Sequence, residues 1–367
     1  MRRHRRGAAL NAPLTVSDEQ ALAFLQEVVS LYSPSSQEAA VAECAVRWMR
    51  VWGYEAACVD PVGNAVGVLG SGPRRLLLLG HIDTVPGIIP VRTDAGELHG
   101  RGAVDAKGPF AALVVGAARA GALDSLTVQV VGAVEEECAT SAGAHHVART
   151  YPRPDAIVIG EPSRWDRITL GYKGRLLIDY TLTRPMAHRA GRQETASEAA
   201  VAFWQRVAGH AAGYNAGKER QFDTLDASLR QINSHDDGLY ETVTMAIGLR
   251  LPVELDVDAL QATIAGWRGD ATVAFRGLER PVHAERRNAL TGAFLAAIRA
   301  EGGKGAFVVK TGTSDMNVLA RHYDCPILAY GPGDSSLDHT PEERLDLDEY
   351  LRACRVVQGV IVRLAAN

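Results

Sequence analysis

The fold of this chain is decided by the stretch LLLLGHID at residues 76–83, where four leucines run into a glycine, a histidine and an aspartate. A short apolar run bounded by glycine and polar residues is typical of a strand buried on both faces, as in a parallel or mixed α/β sheet. His81 and Asp83 follow at the carboxyl end of that strand, where open α/β sheets place their sites. The stretch therefore predicts a buried strand with a functional site at its end.

Three further apolar runs have the same layout, and polar residues follow each of them. The runs are 128–134, which leads into Glu135, Glu136 and Glu137; 156–159, which leads into Gly160 and Glu161; and 326–329, which leads to a loop with Asp338 and His339. Histidine and carboxylate side chains delivered at one sheet edge are hard to explain as core structure. We therefore predict an α/β fold, with a mixed sheet and helices on both faces, whose chemistry lies at the carboxyl ends of the strands.

The composition is that of a globular protein. The 367 residues are 47% hydrophobic and 22% charged, which is far too apolar for a disordered chain. The 39 Lys and Arg against 43 Asp and Glu give a net charge of −4, whereas a dedicated nucleic-acid-binding protein normally has a basic excess. No apolar stretch reaches the roughly 18 residues that a membrane span needs. We therefore expect neither nucleic acid nor a membrane as a partner.

The cysteines and the N-terminus favour a cytoplasmic location. The five cysteines are scattered and never form a C-x-x-C pair, which fits reduced thiols. The stretch MRRHRR at residues 1–6 resembles the charged front of a signal peptide, but no sustained apolar core follows it. We interpret this stretch as a frayed tail.

Two helices are predicted before the first buried strand. Ser17 and Gln20 form a capping-box pattern ahead of apolar residues at helical spacing. A second helix is predicted from about Ser36 to Trp52, and another begins after Asp105. The polar segment 235–237 contains a second His-x-Asp pattern, but no strand is predicted before it, so we interpret it as a solvated loop.

The middle of the chain has a different texture from its two ends. Apolar residues alternate with others from Gly174 to Leu182, which predicts a sheet with one buried face. Further elements follow in a β-α-β-β-α-β-like order, which is typical of a small α+β domain. They are a helix at 195–208, a strand at 242–251, a helix at 256–267 and a strand at 272–275. We therefore predict a catalytic domain from residues 8–173 and 282–367, with an inserted α+β domain at 174–281.

The residues at the strand ends favour a metal site. His81 and Asp83 are alternate residues and point the same way, so Asp83 is placed to orient the His81 ring while His81 binds a metal. Three consecutive glutamates after a buried strand are costly in an apolar setting unless cations neutralise them. Imidazole and carboxylate groups suit zinc, cobalt or manganese, and their number suffices for two ions.

Two other chemistries are disfavoured. Asp105 lies in a glycine-rich loop that opens a helix, but the loop has no phosphate-binding lysine pattern, and an acidic residue there repels phosphate. An N-cap is the structural alternative for Asp105. Ser335 near His339, or Ser314 beside Asp315, offers the parts of a serine hydrolase triad, but the G-x-S-x-G elbow is absent.

The strand-end motifs resemble those of the co-catalytic metallopeptidase family that includes acetylornithine deacetylase, succinyl-diaminopimelate desuccinylase and carboxypeptidase G. The motifs are GHIDTVP at 80–86, GRG with Asp105 and KG at 100–108, EEE at 135–137, GEPS at 160–163, and His339. They cover about residues 80–340 in the expected order. The resemblance implies a binuclear, metal-dependent hydrolase of amide bonds.

Three further motifs resemble one group within that family. They are GYKG at 171–174, KTGTSDMN at 310–317 and YGPGDS at 330–335. The group releases lysine or ornithine from the γ-carboxyl of the C-terminal glutamate on a small acidic amino-group carrier protein, the last step of carrier-dependent lysine or arginine biosynthesis. The alternatives are a deacylase of a free small molecule, such as acetylornithine, acetyllysine or succinyl-diaminopimelate, and a non-catalytic metal-binding or regulatory protein.

The family pattern implies a metal ligand at five positions. His81 and Glu161 match the ligands of one ion, and Glu137 and His339 match the ligands of the other. Asp105 matches the ligand that bridges the two ions. Zinc or cobalt is the expected metal.

The resemblance also implies residues that act beside the metals. Asp83 matches the residue that orients the metal-binding histidine, and Glu136 matches the general base. In this family the inserted domain forms a homodimer, and a histidine of that domain completes the partner subunit's site. His188 matches this histidine. Arg250 matches an arginine that contacts a substrate carboxylate. The loop expected against the substrate is formed by Thr311, Gly312, Thr313 and Ser314.

Overall fold

The computed structural model describes residues 16–186 and 193–366. The arginine-rich N-terminal stretch and His188 lie outside these residues. The helices are α1 (Asp18–Ser30), α2 (Ala39–Val51), α3 (Lys107–Ala120), α4 (Ala142–Thr150), α5 (Ala196–Asn215), α6 (Val257–Gly266), α7 (Ala289–Ala300), α8 (Asp315–Leu319) and α9 (Leu347–Ala366). Within the described ranges, no helix combines the length and the apolarity needed to cross a bilayer.

The strands outnumber the helices. They are β1 (Ala56–Val59), β2 (Ala65–Leu69), β3 (Arg74–His81), β4 (Arg92–Asp94), β5 (Glu97–His99), β6 (Leu126–Ala133), β7 (Ala156–Gly160), β8 (Arg167–Tyr172), β9 (Gly174–Pro185), β10 (Asp226–Asp236), β11 (Tyr240–Leu251), β12 (Thr272–Glu279), β13 (Val282–His283), β14 (Ala306–Lys310), β15 (Ile327–Ala329) and β16 (Arg344–Asp346). Two short 3-10 turns cover Gln221–Asp223 and Ser335–Leu337.

The chain divides into two compact units. The first contains the described residues of Met1–Ile168, Arg286–Ala306 and Cys325–Asn367, and the second contains those of Thr169–Glu285 and Phe307–Asp324. The second unit thus includes residues 307–324, which the sequence analysis assigned to the catalytic domain. An inserted domain with limits at 174 and 281 stays a prediction.

The first unit is built on a mixed β-sheet. Six of its strands lie in the order β1-β2-β6-β3-β7-β15. The strands β6, β3, β7 and β15 are parallel neighbours, whereas β2 pairs antiparallel with both β1 and β6. All four apolar runs of the sequence therefore lie in the parallel part of the sheet. The predicted α/β fold with a mixed sheet is confirmed.

Helix α3 packs closely on three neighbouring strands because each strand has a glycine beneath it. Gly80 pairs with Gly132 on one side and with Gly160 on the other. A Cβ atom added at Gly80 would lie 3.1 Å from Phe110 Cβ, and one added at Gly160 would lie 2.9 Å from Leu113 Cδ1. Such distances leave no room for a side chain. The glycine row thus brings the start of α3, and the loop before it, to the carboxyl ends of the strands.

The two N-terminal helices show one correct prediction and one error. The backbone N–H of Gln20 donates to Ser17 Oγ at 3.2 Å, and Ser17 N donates to Gln20 Oε1 at 3.0 Å, so the predicted capping box is confirmed. Helix α2 begins after Glu38 and not at Ser36. Ser36 has a left-handed φ of 71°, and the Glu38 carboxylate accepts hydrogen bonds from the backbone of Ser36 and Glu135. This segment turns toward the acidic residues after β6 and therefore leaves the helical path.

The second unit contains a four-stranded antiparallel sheet in the order β10-β11-β9-β12. The alternation predicted from Gly174 to Leu182 is seen in β9, whose Leu176, Ile178, Tyr180 and Leu182 are buried. These side chains share one hydrophobic core with residues of α5 and α6. The two helices therefore pack on one face of this sheet. The strand β8, most of which belongs to this unit, pairs with β13 and β14.

Strand β10 was not predicted. His235 and Asp236 are in its last two positions and not in a loop, although both are exposed, as expected. The pairing register with β11 shifts between Leu229 and Gln231, which marks a β-bulge. Every residue from Ser228 to the end of the strand is exposed, and a strand without a buried face carries no alternating apolar signal in its sequence.

Candidate metal centre

The parallel strands of the first unit bring the predicted ligands to one edge of the sheet. Strand β3 ends at His81, whose ring is buried. Its Nε2 atom lies 3.1 Å from Asp105 Oδ1 and 3.9 Å from Glu161 Oε1. Glu161 is the residue that follows β7, and Asp105 lies in the loop before α3. Three segments that are far apart in the sequence thus meet at the end of β3.

Asp105 lies between two groups of predicted ligands. While its Oδ1 atom faces His81, its Oδ2 atom lies 3.0 Å from His339 Nε2. The same His339 nitrogen is 3.0 Å from Glu137 Oε1. One carboxylate therefore faces His81 with Glu161 on one side and His339 with Glu137 on the other. The structure brings all five residues together, and their roles as ligands stay a prediction.

Asp83 holds the acidic turn after β6 in place. Its side chain is fully buried, and its two oxygens accept hydrogen bonds from the backbone N–H groups of Glu136 and Glu137 at 3.1 and 3.0 Å. Ser35 Oγ donates a third hydrogen bond at 2.7 Å. His81 Nδ1 lies 3.0 Å from the Asp83 carbonyl oxygen and 3.4 Å from Asp83 Oδ1. Asp83 thus contacts both the imidazole and the turn that carries the predicted base.

The three consecutive glutamates do not share one environment. Glu135 has a left-handed φ of 62°, and its carboxylate accepts hydrogen bonds from Thr140 Oγ1 and Ser36 Oγ. Glu137 faces His339, and the charge of Glu136 acts on His81. The turn at Glu135 therefore separates one glutamate from the two that belong to the site.

The site carries an excess of negative charge. Hydrogen bonds to Asp105 and Glu137 raise the pKa of His339 to about 10. Burial opposes the charged form of His81, but its hydrogen bonds to Asp105 and Asp83, together with the nearby negative charges, outweigh burial and raise its pKa well above the usual range. Burial also raises the pKa of Glu137. The raised pKa values mean that these groups bind protons tightly, because the carboxylates favour a neighbouring positive charge. A bound cation would supply that positive charge in place of the protons.

The donor set fits divalent metal ions. One ligand atom from each of His81, Asp105 and Glu137 lies within 4.8 Å of the other two. Imidazole nitrogens with carboxylate oxygens are the ligands of zinc and of related divalent ions. Because Asp105 presents one oxygen to each group, the arrangement accommodates two ions as well as one.

Sequence reasoning missed a residue that supports this site. Glu343 is fully buried, and its Oε1 atom accepts hydrogen bonds from the backbone of Val104 and Asp105. Its other oxygen lies 2.8 Å from Arg101 Nη1. Nothing in the sequence distinguishes Glu343 from its exposed neighbour Glu342. The contact became visible only in three dimensions.

The predicted substrate-binding residues lie in the second unit. Arg250 Nη1 is 3.2 Å from Thr313 Oγ1, so the structure brings Arg250 and the 311–314 loop together. Ser314 is the N-cap of α8, and its Oγ atom accepts a hydrogen bond from Met316 N at 3.2 Å. Thr311 and Gly312 precede this cap. A role of these residues in substrate binding stays a prediction. The expected role of His188 in completing the partner subunit's site also stays a prediction.

A comparison with protein-family models decides the family. A model described as peptidase family M20/M25/M40 matches residues 77–363. This chain belongs to the M20/M25/M40 peptidase family. The predicted metal-dependent hydrolase family is therefore confirmed.

Curated relatives of this M20 chain extend over nearly its whole length. A protein named LysW-lysine hydrolase, from Deinococcus radiodurans, is 46% identical over 363 residues, which cover 96% of this chain and 99% of the relative. A LysW-lysine/LysW-ornithine hydrolase from Saccharolobus islandicus is 27% identical over 335 residues, with 90% and 92% coverage.

Solved structures share the fold. A tripeptidase from Staphylococcus aureus has a TM-score of 0.77 and 16% identity, covering 96% of this chain and 100% of its own. A dinuclear metal-binding peptidase of the M20 family from Bacillus subtilis has a TM-score of 0.67 and 14% identity, with 95% and 98% coverage. At this identity the similarity concerns the fold alone.

Proposed function

We propose that this enzyme hydrolyses the amide bond that joins lysine or ornithine to a carrier protein of the LysW type. The observation that carries the proposal is the 46% identity to a LysW-lysine hydrolase over 96% of this chain and 99% of the relative. The motifs at 171–174, 310–317 and 330–335 support the same substrate class. The reaction would be the final, product-releasing step of carrier-dependent lysine or arginine biosynthesis.

Two divalent ions, zinc or cobalt, are proposed as the cofactors. His81 and Glu161 would hold one ion, Glu137 and His339 would hold the other, and Asp105 would bridge them. The distances of 3.0 to 3.9 Å among these side chains support this set. Divalent ions in such a site supply Lewis-acid activation of an amide carbonyl and of water.

Glu136 is proposed as the general base, and Asp83 as the residue that orients the metal-binding His81 and holds the backbone of Glu136. Glu136 would accept the proton of the attacking water and pass it to the leaving amine of lysine or ornithine. The hydrogen bond from Glu136 N to Asp83 Oδ1 supports a fixed position for the base. Asp83 would also keep the His81 ring in one orientation through Nδ1.

Arg250 and the loop formed by Thr311, Gly312, Thr313 and Ser314 are proposed to bind the substrate. The hydrogen bond between Arg250 and Thr313 supports a shared surface. A guanidinium group offers two parallel donors to a carboxylate, so Arg250 suits the α-carboxylate of the amino acid or a carboxylate of the carrier.

The test is hydrolysis of purified carrier conjugates. LysW loaded with lysine or ornithine on its C-terminal glutamate is incubated with the metal-loaded enzyme, and free amino acid is measured beside reactions with acetylornithine, acetyllysine and succinyl-diaminopimelate. Release from the carrier, with little turnover of the free compounds, is the expected result. Activity confined to the free compounds would replace the proposal with a small-molecule deacylase.

The enzyme is also proposed to be a homodimer joined through the second unit. Strand β10 is at the end of its sheet order and pairs only with β11 in the part of the chain that the structure describes. Leu229 and Ile232 on this strand are 37% and 41% exposed. A long edge strand with exposed apolar side chains is a template for adding another strand, and a second copy supplies one.

The dimer proposal is tested by measuring the molar mass of the protein by light scattering as it elutes from a size-exclusion column. Ile232→Lys should shift the mass to that of a monomer, because a charge would then be placed in the paired edge. Val253→Lys is the matched control, since Val253 is equally exposed, at 42%, but lies beyond the end of β11. A wild-type mass of one chain would refute the proposal. A dimer shifted equally by both variants would place the interface elsewhere.

A cytoplasmic location completes the proposal. All five cysteines are free thiols in the structure, as expected in a reducing compartment. Fractionation of cells that express the full chain, with immunodetection in each fraction, tests this location.

A further inference from the structure

Two loops of the first unit carry Asp105 and His339, and one ion pair joins them. The fully buried Glu343 accepts hydrogen bonds at Oε1 from the backbone N–H groups of Val104 and Asp105, both at 3.0 Å. Its Oε2 atom lies 2.8 Å from Arg101 Nη1. The carboxylate therefore fixes the backbone of Asp105 itself and of the residue before it.

Arg101 connects this carboxylate to the second loop. Its Nη1 atom also donates to the carbonyl oxygen of Thr340 at 3.2 Å, and Thr340 directly follows His339. The side chains of Arg101 and Glu343 are 11% and 0% exposed, so water does not compete for these bonds. Arg101 and Glu343 thus bond to both loops. These loops carry Asp105 and His339, whose Oδ2 and Nε2 atoms lie 3.0 Å apart.

We propose that Arg101 and Glu343 are positioning residues of the metal centre. They set the separation between Asp105 and His339, and through it the affinity for the divalent ion held between these two residues. Neither side chain contacts the ion or the substrate in this proposal, because both act through the backbone of the ligand loops. Partners that hold metal ligands typically contribute about 10–100-fold to metal affinity. The inference does not depend on which amide the enzyme cleaves.

Helix α9 contains a matched control residue. Glu349 is buried, and its Oε1 atom accepts hydrogen bonds from the backbone N–H groups of Trp165 and Gly333, both at 3.0 Å. Arg164 Nη1 lies 3.8 Å from its other oxygen. Glu349 and Glu343 therefore have similar burial and similar backbone bonds. Only Glu343 bonds to the backbone of a predicted metal ligand.

The experiment compares Glu343→Gln, Arg101→Lys and Glu349→Gln with the unsubstituted protein. Each metal-free protein is titrated with Zn²⁺ in competition with a chromophoric chelator, and its thermal unfolding is recorded on the same sample. Glu343→Gln and Arg101→Lys should each weaken at least one of the two Zn²⁺ affinities by about 10–100-fold, since the displaced Asp105 faces both groups of ligands. A lysine keeps the charge, but its single ammonium group cannot reproduce the guanidinium fork.

Glu349→Gln should lower the unfolding temperature as Glu343→Gln does, yet leave both Zn²⁺ affinities unchanged. Equal affinities in these two variants, at comparable losses of thermal stability, would overturn the inference. Where metal-free Glu343→Gln does not fold, Arg101→Lys decides the question by the same readout. Zn²⁺ affinity is measured without substrate, so a failure of this inference and a failure of the proposed carrier substrate are separate results.

Discussion

At the level of single residues, the Asp83 carboxylate holds the backbone of Glu136. Asp83 is fully buried and accepts three hydrogen bonds, one of them from the backbone of Glu136. Asp83 therefore holds the backbone of the turn that carries Glu136. Replacement of Glu136 by Gln should lower kcat by about 10²–10⁴-fold, because an amide cannot accept the proton of the attacking water.

The control for the Glu136→Gln prediction is the metal content of the same sample. Glu136 is not one of the predicted ligands, so both ions should remain after dialysis, as determined by elemental analysis. Near-normal turnover in the variant would remove Glu136 from the role of base. Loss of the ions would instead make it a ligand.

The cysteines should differ in reactivity, because their surroundings differ. Burial raises the pKa of Cys44 to about 11 and that of Cys354 to about 12. Cys58 is exposed on β1. Because the thiolate is the reactive form, iodoacetamide at pH 8 should modify Cys58 first and leave Cys44 and Cys354 unmodified until the chain is unfolded. Peptide mass spectrometry, with guanidinium-treated protein as the reference, measures this order; early labelling of Cys354 would contradict it.

At the level of elements, the seating of α3 on its glycine row decides where Asp105 lies. Gly80→Ala would place a Cβ atom 3.1 Å from Phe110 Cβ and 3.2 Å from Phe110 Cα. To relieve this crowding the backbone of α3 would have to move away from the sheet. The free energy of unfolding should fall by about 1–3 kcal/mol, the usual cost of overpacking a core. Zn²⁺ affinity should fall as well, since the displaced helix carries Asp105 with it. Urea unfolding and Zn²⁺ titration measure the two effects.

A glycine in α5 provides the opposite expectation. Gly209 is exposed within the helix, and a Cβ atom added there meets no atom within 4 Å. Gly209→Ala should therefore raise the free energy of unfolding by up to about 1 kcal/mol, because alanine loses less backbone entropy in a helix. A Gly80→Ala protein as stable as Gly209→Ala would mean that α3 is not seated on the glycine row.

The same elements show what the sequence could and could not predict. The buried strand β3 (Arg74–His81) and the capping box at Ser17 were predicted because each signal is local and regular. The predicted start of α2 was wrong because the Glu38 side chain accepts a hydrogen bond from the backbone of Glu135, which is far along the chain. Strand β10 was missed because it is exposed almost throughout, so no buried face requires apolar residues at alternate positions. Glu343 was missed because its partners are set by the tertiary fold, which no spacing reveals.

At the scale of the whole molecule, the metal centre ties together segments that lie far apart in the chain. His81, Asp105, Glu137, Glu161 and His339 span most of the first unit's sequence, so the complete ligand set exists only in the folded state. An ion that binds the native state alone stabilises it in proportion to the logarithm of its free concentration. Metal binding and folding of this unit should therefore be linked.

The prediction is that free Zn²⁺ at about 100 times the Kd of a site raises the free energy of unfolding by about 2.7 kcal/mol for each ion bound, relative to protein kept in chelator. The unfolding temperature should keep rising with free Zn²⁺ even after the sites are fully occupied, because the stabilisation grows with the logarithm of the free Zn²⁺ concentration. Asp105→Asn is the control, since it weakens the carboxylate that faces both groups of ligands, and it should lose most of the Zn²⁺-dependent shift. A shift of the same size in Asp105→Asn would mean that the stabilising ions bind elsewhere on the protein, and the centre described here would then contribute little to folding.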